Sequence, residues 1–140
     1  MPSNKPSDKK STLKPATLDA TPALSDAEVL QTFKDPNTIQ AYRDLYDALG
    51  RAYWEASDIK DKDTIQGIRD HIYEILTDLN IEKLQANTEL FFALKSKIED
   101  NNDALGDIKK KIAKITKNLS TVASVISAIS KVLSLAPSLL

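Results

Sequence analysis

From Leu84 to Leu133 one line of residues recurs three and four positions apart without a slip. It runs through Leu84, Asn87, Phe91, Leu94, Ile98, Asn101, Leu105, Ile108, Ile112, Ile115, Leu119, Val122, Ile126, Ile129 and Leu133. A 3.5-residue spacing puts every member on one face of a helix and on no face of a strand. Seven such heptads predict one long C-terminal helix paired along its length, exceeding ~70 Å at ~1.5 Å per residue. A rod of that length does not fit a compact globule. A reversal would need a turn, and "EDNNDALG", Glu99–Gly106, is the weakest place for a kink or reversal. Asn87 and Asn101 interrupt the apolar line, where they either fix register or face solvent at a frayed contact.

The rest of the chain agrees with an all-α class. Between Pro36 and Pro137 there is no proline, and Gly50, Gly67 and Gly106 stand alone. Residues 1–24 hold four prolines among Ser, Thr, Lys and Asp, too little apolar surface to offset ordering, and read as a disordered N-terminal arm. Ser25 and Glu28 stand at capping-box spacing ahead of a first helix to about Lys34. Asp35-Pro36 opens a second, to about Ser57, with Ile39, Tyr42, Tyr46, Leu49 and Tyr53 on one face. A third is expected from a cap near Asp63, carrying Ile65, Ile68, Ile72, Ile75 and Leu79. The expected organisation is an extended helical bundle over residues 25–118 and an apolar amphipathic head over residues 119–140.

The head raises the functional question. Residues 119–140 carry one charge, Lys131, and follow Lys109, Lys110, Lys111, Lys114 and Lys117. Serines at 120, 124, 127, 134 and 138 form with Lys131 a narrow polar stripe. Val122, Val125, Ile126, Ile129, Val132, Leu133 and Leu135 occupy the other faces, and a helix so widely apolar must be covered by protein or by lipid. Burying those seven is worth on the order of 10–20 kcal/mol gross. Full spanning is marginal: Lys131 near a bilayer centre costs ~2.5–3.5 kcal/mol against ~0.3–0.6 returned per Leu, Ile or Val. Insertion into one leaflet fits better, with the seven apolar residues in the lipid, Lys131 snorkelling and the five upstream lysines at the headgroups, each worth ~1 kcal/mol on an anionic surface. Three readings stand side by side: burial in a bundle or homo-oligomer, a membrane-binding face, and a seam for a dedicated partner.

Catalytic chemistry is not visible. His71 is the only histidine, and Glu74 follows it in the reverse of a Glu-x-x-His metal pair. Asp58, Asp61 and Asp63 lack the glycine and terminal glutamate of a calcium loop, so a turn between helices is the better account. No cysteine and no glycine-rich phosphate loop is present, and one histidine makes no triad with the serines. Tyr53 and Trp54 suit a base, a lipid interface or, more commonly, a bundle core or its boundary. Without a basic stripe interleaved with them, nucleic-acid binding is unsupported, and the net charge of −1 supplies no long-range field. The expectation is a protein with no enzymatic activity, no cofactor and no metal.

Residues 63–136, a long heptad helix running from a mixed-charge seam into an apolar head, resemble the α-helical pore-forming toxins. The likeness is to the small component of tripartite bacterial toxins related to haemolysin E and the Bacillus enterotoxins. It implies a cytolytic system and a water-soluble form that conceals the head, either by self-association as a homo-oligomer or against the chain's own tail. The head would then open onto a lipid membrane beside other toxin components. Most relatives return from the apolar segment through another long helix; this sequence shows none after it, which implies at most one helix in one leaflet. The same reading implies secretion without a visible signal peptide, the N-terminal "MPSNKPSDKK" having no apolar run behind its lysines. The alternative is a helical oligomerisation, scaffold or secretion-chaperone protein, cytoplasmic, using the same seam on a protein partner.

Overall fold

The computed structural model describes the backbone of residues 26–139 and the side chains of residues 27–135. The arm expected over residues 1–24 and the Ser25 cap lie outside the described residues. Among those residues there are six helices and no strand, as the periodicity requires. They are α1 (Asp26–Lys34), α2 (Pro36–Glu55), α3 (Ile59–Asp78), α4 (Ile81–Ala86), α5 (Thr88–Ile115) and α6 (Leu119–Leu139).

Asp and Asn side chains start five of the six. Asp35 accepts from the Asn37 amide at 2.9 Å with Pro36 in the first helical position. Asp58 accepts from Lys60 N at 2.7 Å, Asn80 from Lys83 N at 3.1 Å and Asn87 from Leu90 N at 3.2 Å. Asn118 accepts from Ser120 N and Thr121 N at 3.0 and 3.3 Å. Each satisfies an amide that the first turn leaves without an intrahelical partner. α3 therefore starts at Ile59, four residues ahead of the Asp63 cap expected from sequence, because Asp58 takes the capping role. Asn87 likewise turns out to be a cap and not a seam residue.

The four long helices form a ring in which α2 packs on α3 and α6, and α5 packs on the same two. Short connections make neighbours antiparallel, so the bundle runs up-down-up-down. α1 and α4 cover the end where α2 and α5 begin. There Phe33 meets Phe91 edge to face, ring centroids 6.0 Å apart. Along α5 the sequence stripe is the buried face: Phe91, Leu94, Ile98, Leu105, Ile108, Ile112 and Ile115 are all core. On α3 Ile65, Ile68, Ile72 and Ile75 are core as well. On α2 the buried line is rotated toward small residues, Ala41, Ala48 and Ala52 beside Tyr42, Leu45 and Leu49, leaving Tyr46 and Tyr53 half-buried. Arg69 clamps α3 to α2: its guanidinium lies 4.0 Å from the Tyr46 ring centroid and its Nε donates to Tyr46 O at 3.2 Å. Gly50 makes the room, since a Cβ there would come within 3.0 Å of the guanidinium.

The single long rod is not what forms. α5 passes through 99–106 without interruption, and the chain reverses instead at Thr116-Lys117-Asn118. α6 then returns along α2 and α5. Residues 119–135 accordingly share the core of residues 26–118 and do not stand apart as a head: Val125, Ile129 and Val132 are fully buried. The physical reason is that a continuous stripe records which face is covered, and a hairpin covers it as well as a second chain does.

Candidate functional site

The seven apolar head residues are held inside the closed bundle or along its seams. The deepest line on α6 is Thr121, Val125, Ile129 and Val132; it shares Ile129 with the stripe read from sequence and otherwise runs one position ahead of it. Val122, Ile126, Leu133 and Leu135 are half-buried against the same core. In this closed form α2 and α5 cover the face that sequence reading assigned to lipid. Lys131 is separated from the other five lysines by the reversal. It lines an open groove of about 600 Å³ between α2 and α6, opposite Asp44 and Asp47 and among Ala41, Ala48, Ala123 and Ala128.

The unexpected feature is the tip, where α2 and α5 finish and α3 and α6 begin. Three large apolar side chains stand in solvent there: Trp54, 79% exposed, Ile59, 72%, and Leu119, 81%. Trp54 is the penultimate residue of α2, while Ile59 and Leu119 open α3 and α6. Lys62 closes over the aromatics, its Nζ 4.7 Å from the Tyr53 ring centroid and 5.7 Å from that of Trp54, and donates to Tyr53 O at 2.7 Å. Tyr53 and Trp54 pack edge to face at 5.3 Å. Segments 51–63 and 110–121 together hold seven Lys or Arg and four Asp or Glu, so the tip is positive in a chain of net charge −1. Lys110, Lys111, Lys114 and Lys117 are exposed on the last turns of α5 and in the reversal, and Lys109 is half-buried.

One carboxylate ties the two turns of the tip together. Glu55 accepts from Thr116 Oγ1 at 2.7 Å, Thr121 Oγ1 at 3.0 Å and Asn118 Nδ2 at 3.1 Å. The hydrogen bonds from Thr116 and then Thr121 hold its carboxyl below the ordinary value of 4.5, and the nearby Arg51 charge acts in the same direction. Two of the acids near the tip are thus engaged in holding turns, Asp58 as a cap and Glu55 as this tie.

Elsewhere the polar groups are structural. Lys97 donates to Asp78 Oδ2 at 2.7 Å and lies 3.5 Å from Glu74 Oε1, an arrangement that holds its ammonium above the ordinary lysine value. His71 is exposed beside Glu74, Lys97 and Asp100, and among the described residues no group of His, Cys, Asp or Glu is arranged to hold a metal ion. Thr38 and Tyr42 on α2, and Asn101 and Asn102 on α5, are buried with side-chain polar atoms that meet no protein partner. Burial pushes the Tyr42 phenol well above its ordinary range. Such groups subtract from the stability of the core they sit in. Among the described residues no helix is long and apolar enough to cross a membrane.

Sequence reading placed Tyr53 and Trp54 chiefly in a core or its boundary. Tyr53 is half-buried, but Trp54 projects from the bundle. The signal lay in the neighbouring turn: a Trp within two residues of a helix end, followed by Ser57-Asp58, has no further turn to cover it. Comparison with protein-family models, with curated proteins and with solved structures finds no match.

Proposed function

We propose that the protein is a membrane-binding helical bundle, the lipid-contacting component of a larger assembly of the α-helical pore-forming kind. The observation that carries the membrane part is the tip, with exposed Trp54, Ile59 and Leu119 set among cations. Trp belongs at membrane–water interfaces because its ring is apolar and its N–H polar, and Lys spreads its stem beside it. Partial insertion of three such side chains, at up to ~1.5–3 kcal/mol each, with ~1 kcal/mol per lysine near an anionic surface, supports reversible docking. The pore-forming part rests on the resemblance of residues 63–136 alone. Lipid contact at the tip needs no unfolding, whereas lipid contact by Val125, Ile129 and Val132 needs α6 to leave the bundle.

The groove between α2 and α6 favours a second reading, a helical scaffold. Its alanines permit close approach by a partner helix, and Asp44, Asp47, Arg51 and Lys131 offer both signs of charge.

Vesicle flotation tests the choice. Wild type is expected to float with phosphatidylserine–phosphatidylcholine vesicles and to release as salt rises, with Trp54→Ala weakening binding roughly tenfold. A protein that stays in the soluble fraction with these vesicles at low salt defeats the membrane reading. Binding that survives Trp54→Ala and Leu119→Ala but is lost in Ile126→Asp would return the lipid contact to α6.

A further inference from the structure

We infer that α6 is an exchangeable element: two copies of this chain trade α6 by straightening the Thr116–Asn118 reversal into continuous helix. The docking site for the traded α6 is the face of α2 and α5 that it occupies now, and the partner is a second copy.

Three features at the reversal point to this. In the sequence the three-four apolar spacing of α5 continues through the turn, Ile112, Ile115, Leu119, Val122, Ile126, a pattern compatible with continuous helix, although the line α6 buries in the closed bundle is Thr121, Val125, Ile129 and Val132. The turn contains neither glycine nor proline, and Thr116 leaves the helix in ordinary extended backbone, φ −127° and ψ 143°. The bend is held partly by its own residues, Asn118 N donating to Thr116 Oγ1 and Asn118 Oδ1 accepting from Ser120 N and Thr121 N, and partly by another element: the Glu55 carboxylate on α2 accepts from Thr116, Asn118 and Thr121. Leu119 shows the mismatch directly. It belongs to the stripe by position, yet the bend leaves it the most exposed large apolar side chain among the described residues.

The geometry of the exchanged pair follows. Residues 88–139 become one helix of about 75 Å, entering the partner bundle through its tip. Val125, Ile129 and Val132 regain in the partner the cover they lose at home, so exchange preserves the core. The two bundles then stand tip to tip, with Trp54, Ile59 and Leu119 of both copies brought to the junction. Both tips are positive, which opposes the pair at low salt and makes it strengthen as salt screens them. The exchange stands on the hinge alone. Its consequence, that the pair hides the lipid-contacting tip and the monomer presents it, rests on the membrane reading.

The test is size exclusion with light scattering on the full chain refolded from urea across a range of concentrations, at low and high salt. Wild type is expected to give monomer and a slowly interconverting dimer whose share rises with salt. Glu55→Ala removes the tie and is expected to raise the dimer-to-monomer ratio roughly tenfold. Lys117→Pro is expected to leave only monomer. Thr116 already has the extended backbone a residue before proline takes, whereas proline breaks a continuous helix. A second measurement uses wild type alone and does not depend on the folding of Lys117→Pro. Two differently tagged dimer preparations, once mixed, must form mixed dimers no faster than the bundle opens. Monomer at every concentration and salt in both wild type and Glu55→Ala overturns the inference. So does a dimer retained in folded Lys117→Pro, or mixed dimers that form at once. Vesicle binding fails or succeeds separately, so the two proposals fall independently.

Discussion

Two turns meet at the tip, and they are made differently. Between α2 and α3, Ala56-Ser57-Asp58 carries its own instructions: Asp58 caps α3, and Ile59 starts a helix whose apolar phase is new. Between α5 and α6, Thr116-Lys117-Asn118 also has a cap, in Asn118, but the apolar spacing of the sequence continues across it. The first bend is written only where it occurs. The second has local bonds from Thr116 and Asn118 and is tied in addition by Glu55, sixty-odd residues away, and by the packing of α6 against α2 and α5. The contrast teaches that α6 is held in place by its side contacts more than by its connection.

The largest effect expected from that contrast is in the side contacts themselves. Ile129→Ala removes a fully buried side chain and should lower stability by about 2–4 kcal/mol, whereas Leu119→Ala, at the exposed start of the same helix, should stay within about 0.5 kcal/mol. Urea unfolding followed by circular dichroism measures both. Equal losses would mean that the connection, and not the packing, places α6.

A smaller effect belongs to the self-made turn. Asp58→Ala should cost about 1 kcal/mol, the ordinary worth of an N-cap, with Asp58→Asn recovering most of it. If Asp58→Ala is silent, the α2–α3 turn is no more locally written than its neighbour.

The smallest is the acid dependence of the tie. The Glu55 carboxyl is held below its ordinary value in the folded state, so the unfolded chain binds its proton first as pH falls. Its contribution is therefore present above pH 4.5 and declines as pH drops through that value toward the lower folded one. Glu55→Gln should flatten that part of the stability–pH curve while leaving the neutral-pH helicity unchanged. An unchanged acid limb in Glu55→Gln would show that the three hydrogen bonds do not distinguish the folded carboxylate.

Much of the fold was legible because periodicity reports burial directly. The α5 stripe and Ile65, Ile68, Ile72 and Ile75 of α3 were read as core and are core. On α2 Tyr42 and Leu49 are buried as read, but Ile39, Tyr46 and Tyr53 lie a position off the buried line because aromatics outweigh alanines in any apolar pattern, yet alanines are what let α6 come close. The reversal was looked for in the wrong stretch, for a different reason. Glu99–Gly106 looked weak through its polar run and glycine, but Leu105 and Ile108 pack there and carry α5 through it. The apolar tip was illegible as a site because Trp54, Ile59 and Leu119 come from three separate stretches, and nothing in any one stretch announces the others.

The order of amino acids by itself determined that the chain is helical, where most helices start, and which faces avoid water, since caps and spacing act over a turn or two of backbone. Only the tertiary structure decided what covers those faces: α6 folds back to be sheltered by α2 and α5 of its own chain. A line of apolar residues carries no record of its partner's identity, and that choice is made by contacts between segments far apart in sequence.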